Sequence, residues 1–268
     1  MKKTYMIIDV SQCNDCNNCF VACLDEHVEN DWPPYTDSAP RHGHRWMNIH
    51  RTERGQYPRM DASFLPMPCQ HCQDAPCVKA HPDCFAQRPD GIVLIDIARA
   101  RGRKELLESC PYGAIYWNEE KQICQKCTMC AHLLDHGDIK ETRCSHSCHT
   151  GAIRCLFLEP AEMEKLVAQE GLEYYRSELG THPNVYYKNL YRFNKAFITG
   201  ALLRDGDCAE NVQVSLHGPC ESTMQTTDFF GEFKFDALIP GVYRLEANGK
   251  QFAEITLSNS VNIGEFTL

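Results

Sequence analysis

The first legible pattern is an apolar run, Tyr5-Met6-Ile7-Ile8, closed by Asp9, which predicts a short strand over residues 4–10. A short helix is expected from Cys19 to about His27. Trp32-Pro33-Pro34-Tyr35 through Gly43 reads as loop, because proline and glycine punctuate it. Alternation predicts strands at Trp46 to Arg51, Ser63 to Met67 and Gly91 to Asp96. Ala100 to Cys110 has the pattern of an amphipathic helix. From Ala196 onward, apolar and polar positions alternate in short runs: Val212/Val214/Leu216, Phe233/Phe235, Tyr243/Leu245/Ala247, Ala253/Ile255/Leu257 and Val261/Ile263. Asp205-Gly206, Pro240-Gly241 and Asn248-Gly249 are turn signals, and the last sits between two alternating runs as a hairpin would. About seven such strands fit an antiparallel β-sandwich.

Composition splits the chain at the same place. Of 17 cysteines in 268 residues, all but Cys208 and Cys220 lie at or before Cys155. Residues 196–268 hold ten acidic and four basic side chains, so most of the net charge of −9 lies there. This predicts two domains, 1–195 and 196–268. No apolar run approaches the ~18 residues of a membrane span. Asp9 interrupts the N-terminal apolar stretch and no small-residue cleavage site follows, so no signal peptide is expected. A cytoplasmic location is the default, although a subunit can also be exported on a partner's signal. Arg99, Arg101, Arg103 and Lys104 form the one dense basic group, which reads as a solvated face and not a nucleic-acid site.

The cysteines carry the chemistry. Cys13, Cys16, Cys19 and Cys23 have the spacing C-x2-C-x2-C-x3-C of bacterial ferredoxins, in which three thiolates hold one [4Fe–4S] cluster and the fourth reaches a second. A structural zinc site would instead use two separated C-x2-C pairs. A second run, Cys69, Cys72 and Cys77, ends with His81-Pro82 where a ferredoxin has Cys-Pro. Cys110-Pro111-Tyr112-Gly113-Ala114-Ile115 is the tail of a third, but its other ligand positions hold Ala100, Arg103 and Leu106. The last run is Cys127, Cys130, Cys144 and Cys148.

Exchange of fourth cysteines then pairs the runs. The first with the last makes two sites: Cys13, Cys16, Cys19 and Cys148, and Cys127, Cys130, Cys144 and Cys23. The middle runs make one complete site, Cys69, Cys72, Cys77 and Cys110. The other middle site would need positions 81, 100, 103 and 106, all without cysteine, so three [4Fe–4S] clusters are expected and not four. Cys84, Cys124, Cys155, Cys208 and Cys220 are left over, each readable as a small buried hydrophobe. Cys124 stands C-x2-C before Cys127 and is an alternative ligand there. His81 is an alternative iron ligand, and the Arg101/Arg103/Lys104 group either fills the lost site, faces a partner or is solvated. No catalytic triad, phosphate loop or dinucleotide fingerprint is present.

These four runs resemble the iron–sulfur electron-transfer subunits of dimethyl sulfoxide reductase family molybdopterin oxidoreductases. Thr181-His182-Pro183-Asn184-Val185-Tyr186-Tyr187 is similar to their closing segment. The resemblance implies an α+β fold with two ferredoxin-like modules, one from residues 1–30 plus 111–195 and one from 60–110. It implies a non-catalytic chain bound to a large catalytic subunit that carries molybdenum and molybdopterin guanine dinucleotide. The heterodimer would be the minimal assembly, with no membrane or nucleic-acid partner. The missing cluster, the Asn30-Asp31-Trp32-Pro33-Pro34-Tyr35 insertion and the added C-terminal domain are similar to the small subunits of transhydroxylases acting on trihydroxybenzenes. Thr199-Gly200, Asp228-Phe229-Phe230-Gly231 and Pro240-Gly241-Val242-Tyr243 resemble transthyretin-like or carboxypeptidase-regulatory sandwiches, which implies a docking or shielding module.

Overall fold

The computed structural model describes residues 1–137, 139–220 and 222–268. The chain forms two compact units, Met1–His50 with Phe64–Leu190, and Arg51–Ser63 with Tyr191–Leu268.

The first unit opens with β1 (Lys3–Asp9), then the loop of the first cysteine run, then α1 (Asn18–His27). β2 (Asn48–Gln56) and β3 (Arg59–Met67) pair as a hairpin whose tip belongs to the second unit. The middle runs are carried by α2 (Pro76–Ala80), the small pair β4 (Phe85–Gln87) and β5 (Val93–Ile95), and α3 (Ile97–Ala100). The last runs follow β6 (Tyr116–Asn118) and β7 (Ile123–Gln125), and are carried by α4 (Ala131–His136) and α5 (Arg143–His146). β8 (Ile153–Leu158), α6 (Pro160–Glu170) and β9 (Val185–Lys188) close the unit.

β1 is the middle strand of the order β8-β1-β9, antiparallel to β8 and parallel to β9. Both its faces are covered, which explains why Met6, Ile7 and Ile8 are consecutive apolar residues without alternation, each at 0% exposure. The helix expected from Ala100 to Cys110 is not continuous. Gly102 takes φ +75 between α3 and a 3-10 turn at Lys104–Ser109, and the following Cys110-Pro111 prevents its extension.

The second unit begins with α7 (Tyr191–Asn194) and β10 (Ala196–Arg204), followed by β11 (Asp207–Cys208), β12 (Gln213–His217), β13 (Ser222–Thr226), β14 (Glu232–Leu238), β15 (Gly241–Ala247), β16 (Lys250–Leu257) and β17 (Val261–Thr267). One sheet runs β13-β12-β15-β16, all antiparallel, with Asn248-Gly249 turning β15 into β16 as expected. The other joins β10 to β11 and β14 antiparallel, but β17 returns parallel to β10. The alternating positions found in the sequence point inward here: Val214, Leu216, Phe233, Phe235, Tyr243 and Leu245 are buried in one core with Ile198 and Leu202.

Gly231 ends the Asp228-Phe229-Phe230-Gly231 turn at φ +71, and a Cβ there would stand 2.4 Å from the Leu202 carbonyl oxygen. Gly231→Ala is expected to cost more than the ~1 kcal/mol of a left-handed alanine, because the obstacle is backbone. Hydrogen exchange at the Leu202 amide, which donates to the Gly231 carbonyl at 2.8 Å, measures this, with faster exchange expected.

Candidate metal centres

All four cysteine runs lie in the first unit. One cavity is lined by Cys13, Cys16, Cys19 and Cys148. Another is lined by Cys23, Cys127, Cys130 and Cys144. The thiols of Cys69, Cys72, Cys77 and Cys110 act on one another electrostatically within one buried cluster. The structure thus brings the twelve candidate cysteines together as three quartets, in the exchanged pattern. Neighbouring quartets also sense each other: Cys19 acts on Cys23 and Cys144, and Cys69 acts on Cys127. The quartet around Cys127 is therefore the middle one. Among the described residues no three ligand-type side chains converge as a single metal ion would need.

Local backbone geometry makes the cysteine loops tight. Asp15 and Asn17 in the first run, His71 in the second and Met129 and Cys130 in the last all have positive φ. Asp and Asn tolerate this conformation best of the non-glycine residues, while the others are strained, as is common at functional sites. The same loops aim amides at sulfur: Met129 N–H donates to Cys127 Sγ at 3.3 Å, and Ala114 N–H and Arg143 N–H donate to Cys110 and Cys130 Sγ at 3.5 Å. Such bonds stabilise a thiolate and tune what it binds.

Several features fit these cavities to a cluster. Burial pushes the Cys19, Cys72 and Cys130 thiols up to about 12, and Cys23 and Cys144 well above the ordinary range. A cluster bound there would hold them as thiolates. Trp46 Nε1 and Thr128 Oγ1 are buried beside the middle cavity without a hydrogen-bond partner. Buried polar groups are rarely left so, and sulfide edges would accept from them. His71 accepts the Val93 N–H at Nδ1, 3.1 Å away, so its proton sits on Nε2, which is also buried and unpartnered. His149 Nδ1 stands 3.7 Å from Cys16 Sγ.

The place where a fourth site would stand is filled by protein. Ala100 and Leu106 are at 0% exposure. The Arg103 guanidinium lies 2.5 Å from Asp83 Oδ2, 2.8 Å from Glu105 Oε1, 2.9 Å from Cys84 Sγ and 3.3 Å from His81 Nδ1. Its carbonyl accepts from Cys124 Sγ at 3.4 Å. His81 is therefore held by an arginine, and Cys124 is turned to Arg103, not to the Cys127 quartet. The basic group is not one solvated face: Arg101 and Lys104 are exposed, whereas Arg103 turns in. Of the remaining cysteines, Cys84 and Cys124 are buried as expected, Cys155 is half-buried beside the middle quartet, and Cys208 and Cys220 are exposed, contrary to the buried reading.

The sequence matches the profile of a 4Fe-4S dicluster domain over residues 60–156. The pyrogallol hydroxytransferase small subunit of Pelobacter acidigallici is 52% identical over 98% of this chain and 98% of its own. The chain belongs to this small-subunit family. More distant relatives are a tetrathionate reductase subunit of Salmonella typhimurium, 31% identical over 72% of this chain and 74% of that one, and a putative dimethyl sulfoxide reductase iron–sulfur subunit of Halobacterium salinarum, 27% identical over 69% and 78%. This hydroxytransferase-type small subunit is an iron–sulfur electron-transfer subunit. The dicluster match takes in the second, third and last cysteine runs and leaves out the first, whose Cys23 nonetheless lines the middle cavity with Cys127, Cys130 and Cys144. No helix among the described residues is long and apolar enough to cross a membrane.

Proposed function

We propose that this chain carries three [4Fe–4S] clusters and serves a large molybdopterin-binding subunit that converts pyrogallol to phloroglucinol. The observation that carries the cluster count is the gathering of the twelve candidate cysteines into three quartets, with Arg103 against His81 and Cys84 where a fourth would stand. The substrate and partner rest on the 52% identity to the Pelobacter small subunit. When bound, the clusters supply one-electron storage. The chain's residues would do the rest: the thiols would ligate, the loop amides, Trp46 and His71 would donate hydrogen bonds, and the buried shell would exclude water. Pyrogallol and phloroglucinol are isomers, so their exchange consumes no net electrons. The chain therefore sets or restores the redox state of the molybdenum and does not carry current in every turnover.

In this assignment the first unit is a double ferredoxin-like body, and the second, which starts at Tyr191 and not at the expected residue 196 and takes in Arg51–Ser63, is a transthyretin-like or carboxypeptidase-regulatory-like β-sandwich that acts in docking or shielding. Two sheets around one core support the second part. The catalytic chemistry lies in the partner, and the complex works in the cytoplasm.

The test is to purify the chain from its own cells by a tag, identify what comes with it and supply pyrogallol. A molybdenum-containing large chain and the appearance of phloroglucinol are expected. A quinol-oxidising membrane partner would point instead to another reductase of the same family. Clusters that dithionite does not reduce would make the chain a scaffold.

A further inference from the structure

Lys126 is a buried cation with no counter-charge among the described residues. It is 3% exposed, its Nζ donates to the carbonyls of Val93 and, at 3.0 Å, Cys127, and no carboxylate pairs with it. An unpaired ammonium in a protein interior is strongly unfavourable unless something nearby is negative. Its Nζ is held between the carbonyl of the candidate ligand Cys127 and that of Val93, whose N–H in turn bonds His71 between Cys69 and Cys72; from there its charge opposes the burial that raises the Cys77, Cys110 and Cys127 thiols. It also helps keep the neighbouring His71 neutral, after burial itself. Neither Cys13 nor Cys19 of the third quartet has Lys126 among its main influences.

We infer that Lys126 is a positioning charge lying between two of the three cluster sites, which makes both clusters easier to reduce than they would be without it. The inference rests on the three-cluster reading above. The counter-charge it needs is that of the thiolate-bound clusters, each carrying about two negative charges when oxidised. Reduction adds one more electron beside the ammonium, so the cation favours the reduced form. At interior dielectric a unit charge within a residue's reach changes a one-electron equilibrium by about tenfold or more.

The test uses the purified complex with the full-length chain. EPR-monitored redox titration is compared for wild type, Lys126→Met and Lys126→Arg, with iron measured for each. In Lys126→Met, two clusters should become harder to reduce by about tenfold in equilibrium constant, about 59 mV for a one-electron couple. The third should stay within a quarter of that shift. Lys126→Arg, which keeps the charge, should restore the two potentials. If the wild type holds three clusters and Lys126→Met moves none, or moves all three alike, the inference is wrong and the cluster reading stands. The inference is equally wrong if Lys126→Arg shifts as far as Lys126→Met. If Lys126→Met loses iron, Lys126→Arg and Lys126→Gln at full iron content decide by the same criterion. A wild type without three clusters fails the underlying reading itself.

Discussion

Cys144→Ala is expected to remove about four of about twelve irons per chain and to abolish magnetic coupling between the clusters that remain. Cys144 is buried, lines the middle cavity and sits within 3.2 Å of the Thr142 hydroxyl that caps α5. Three thiols are then left around a site with no fourth ligand. Ligand binding at such a site is also folding free energy, so the variant should unfold more readily as well as lose metal. The position in the row decides the spectroscopic result. The Cys127 quartet touches both others electrostatically, so its loss separates the outer two. Cys16→Ala, at the exposed end, should remove one cluster and leave the other two coupled. Metal analysis with EPR of the reduced variants checks both. Full iron in Cys144→Ala would contradict the assignment.

Arg54→Ala should cost the second unit about 3–5 kcal/mol, the usual penalty for stripping the partner from buried charges. Arg54 is 6% exposed and grips Asp236 with two bonds, at 2.8 and 3.1 Å, and Asp61 with one at 2.5 Å. It also donates to the Lys195 carbonyl at 2.9 Å. Burial raises both carboxyls, but the Arg54 hydrogen bonds, with Lys234 nearby and Arg192 on Asp61, outweigh it and hold them below the usual range. Carboxyls with a lowered folded value contribute stability that is complete above the unfolded value of ~3.9 and is lost as pH falls through the lower folded value. The deficit of Arg54→Ala should therefore be full at neutral pH and shrink in acid below about pH 4. Native-state hydrogen exchange of β10 and β14 amides in the full chain measures it. Unchanged protection at pH 7 would show the ion cluster to be incidental.

The candidate cysteine quartets were legible because spacing within each run is local. The exchange that puts Cys23 with Cys127 and Cys148 with Cys13 was readable only through the ferredoxin pattern, since it spans more than a hundred residues. The vacated site could be located by counting back from Cys110, but not that Arg103 would turn inward onto Cys84. Gly102, which lets the chain do this, sits in a stretch whose periodicity looks helical. The inward strands of the second unit followed from alternation, while the parallel return of β17 did not, because alternation carries no direction. Lys126 and Arg54 looked like ordinary polar residues. Their burial depends on partners such as Val93 and Asp236, far away along the chain.

The number and kind of clusters are tested most directly by iron and acid-labile sulfide per purified chain, read with the EPR spectrum of the reduced protein. About twelve irons with spin-coupled reduced [4Fe–4S] signals are predicted. About sixteen would mean that a fourth cluster forms despite Arg103 and His81, and zinc in place of iron would overturn the ferredoxin-like reading of the cysteine runs.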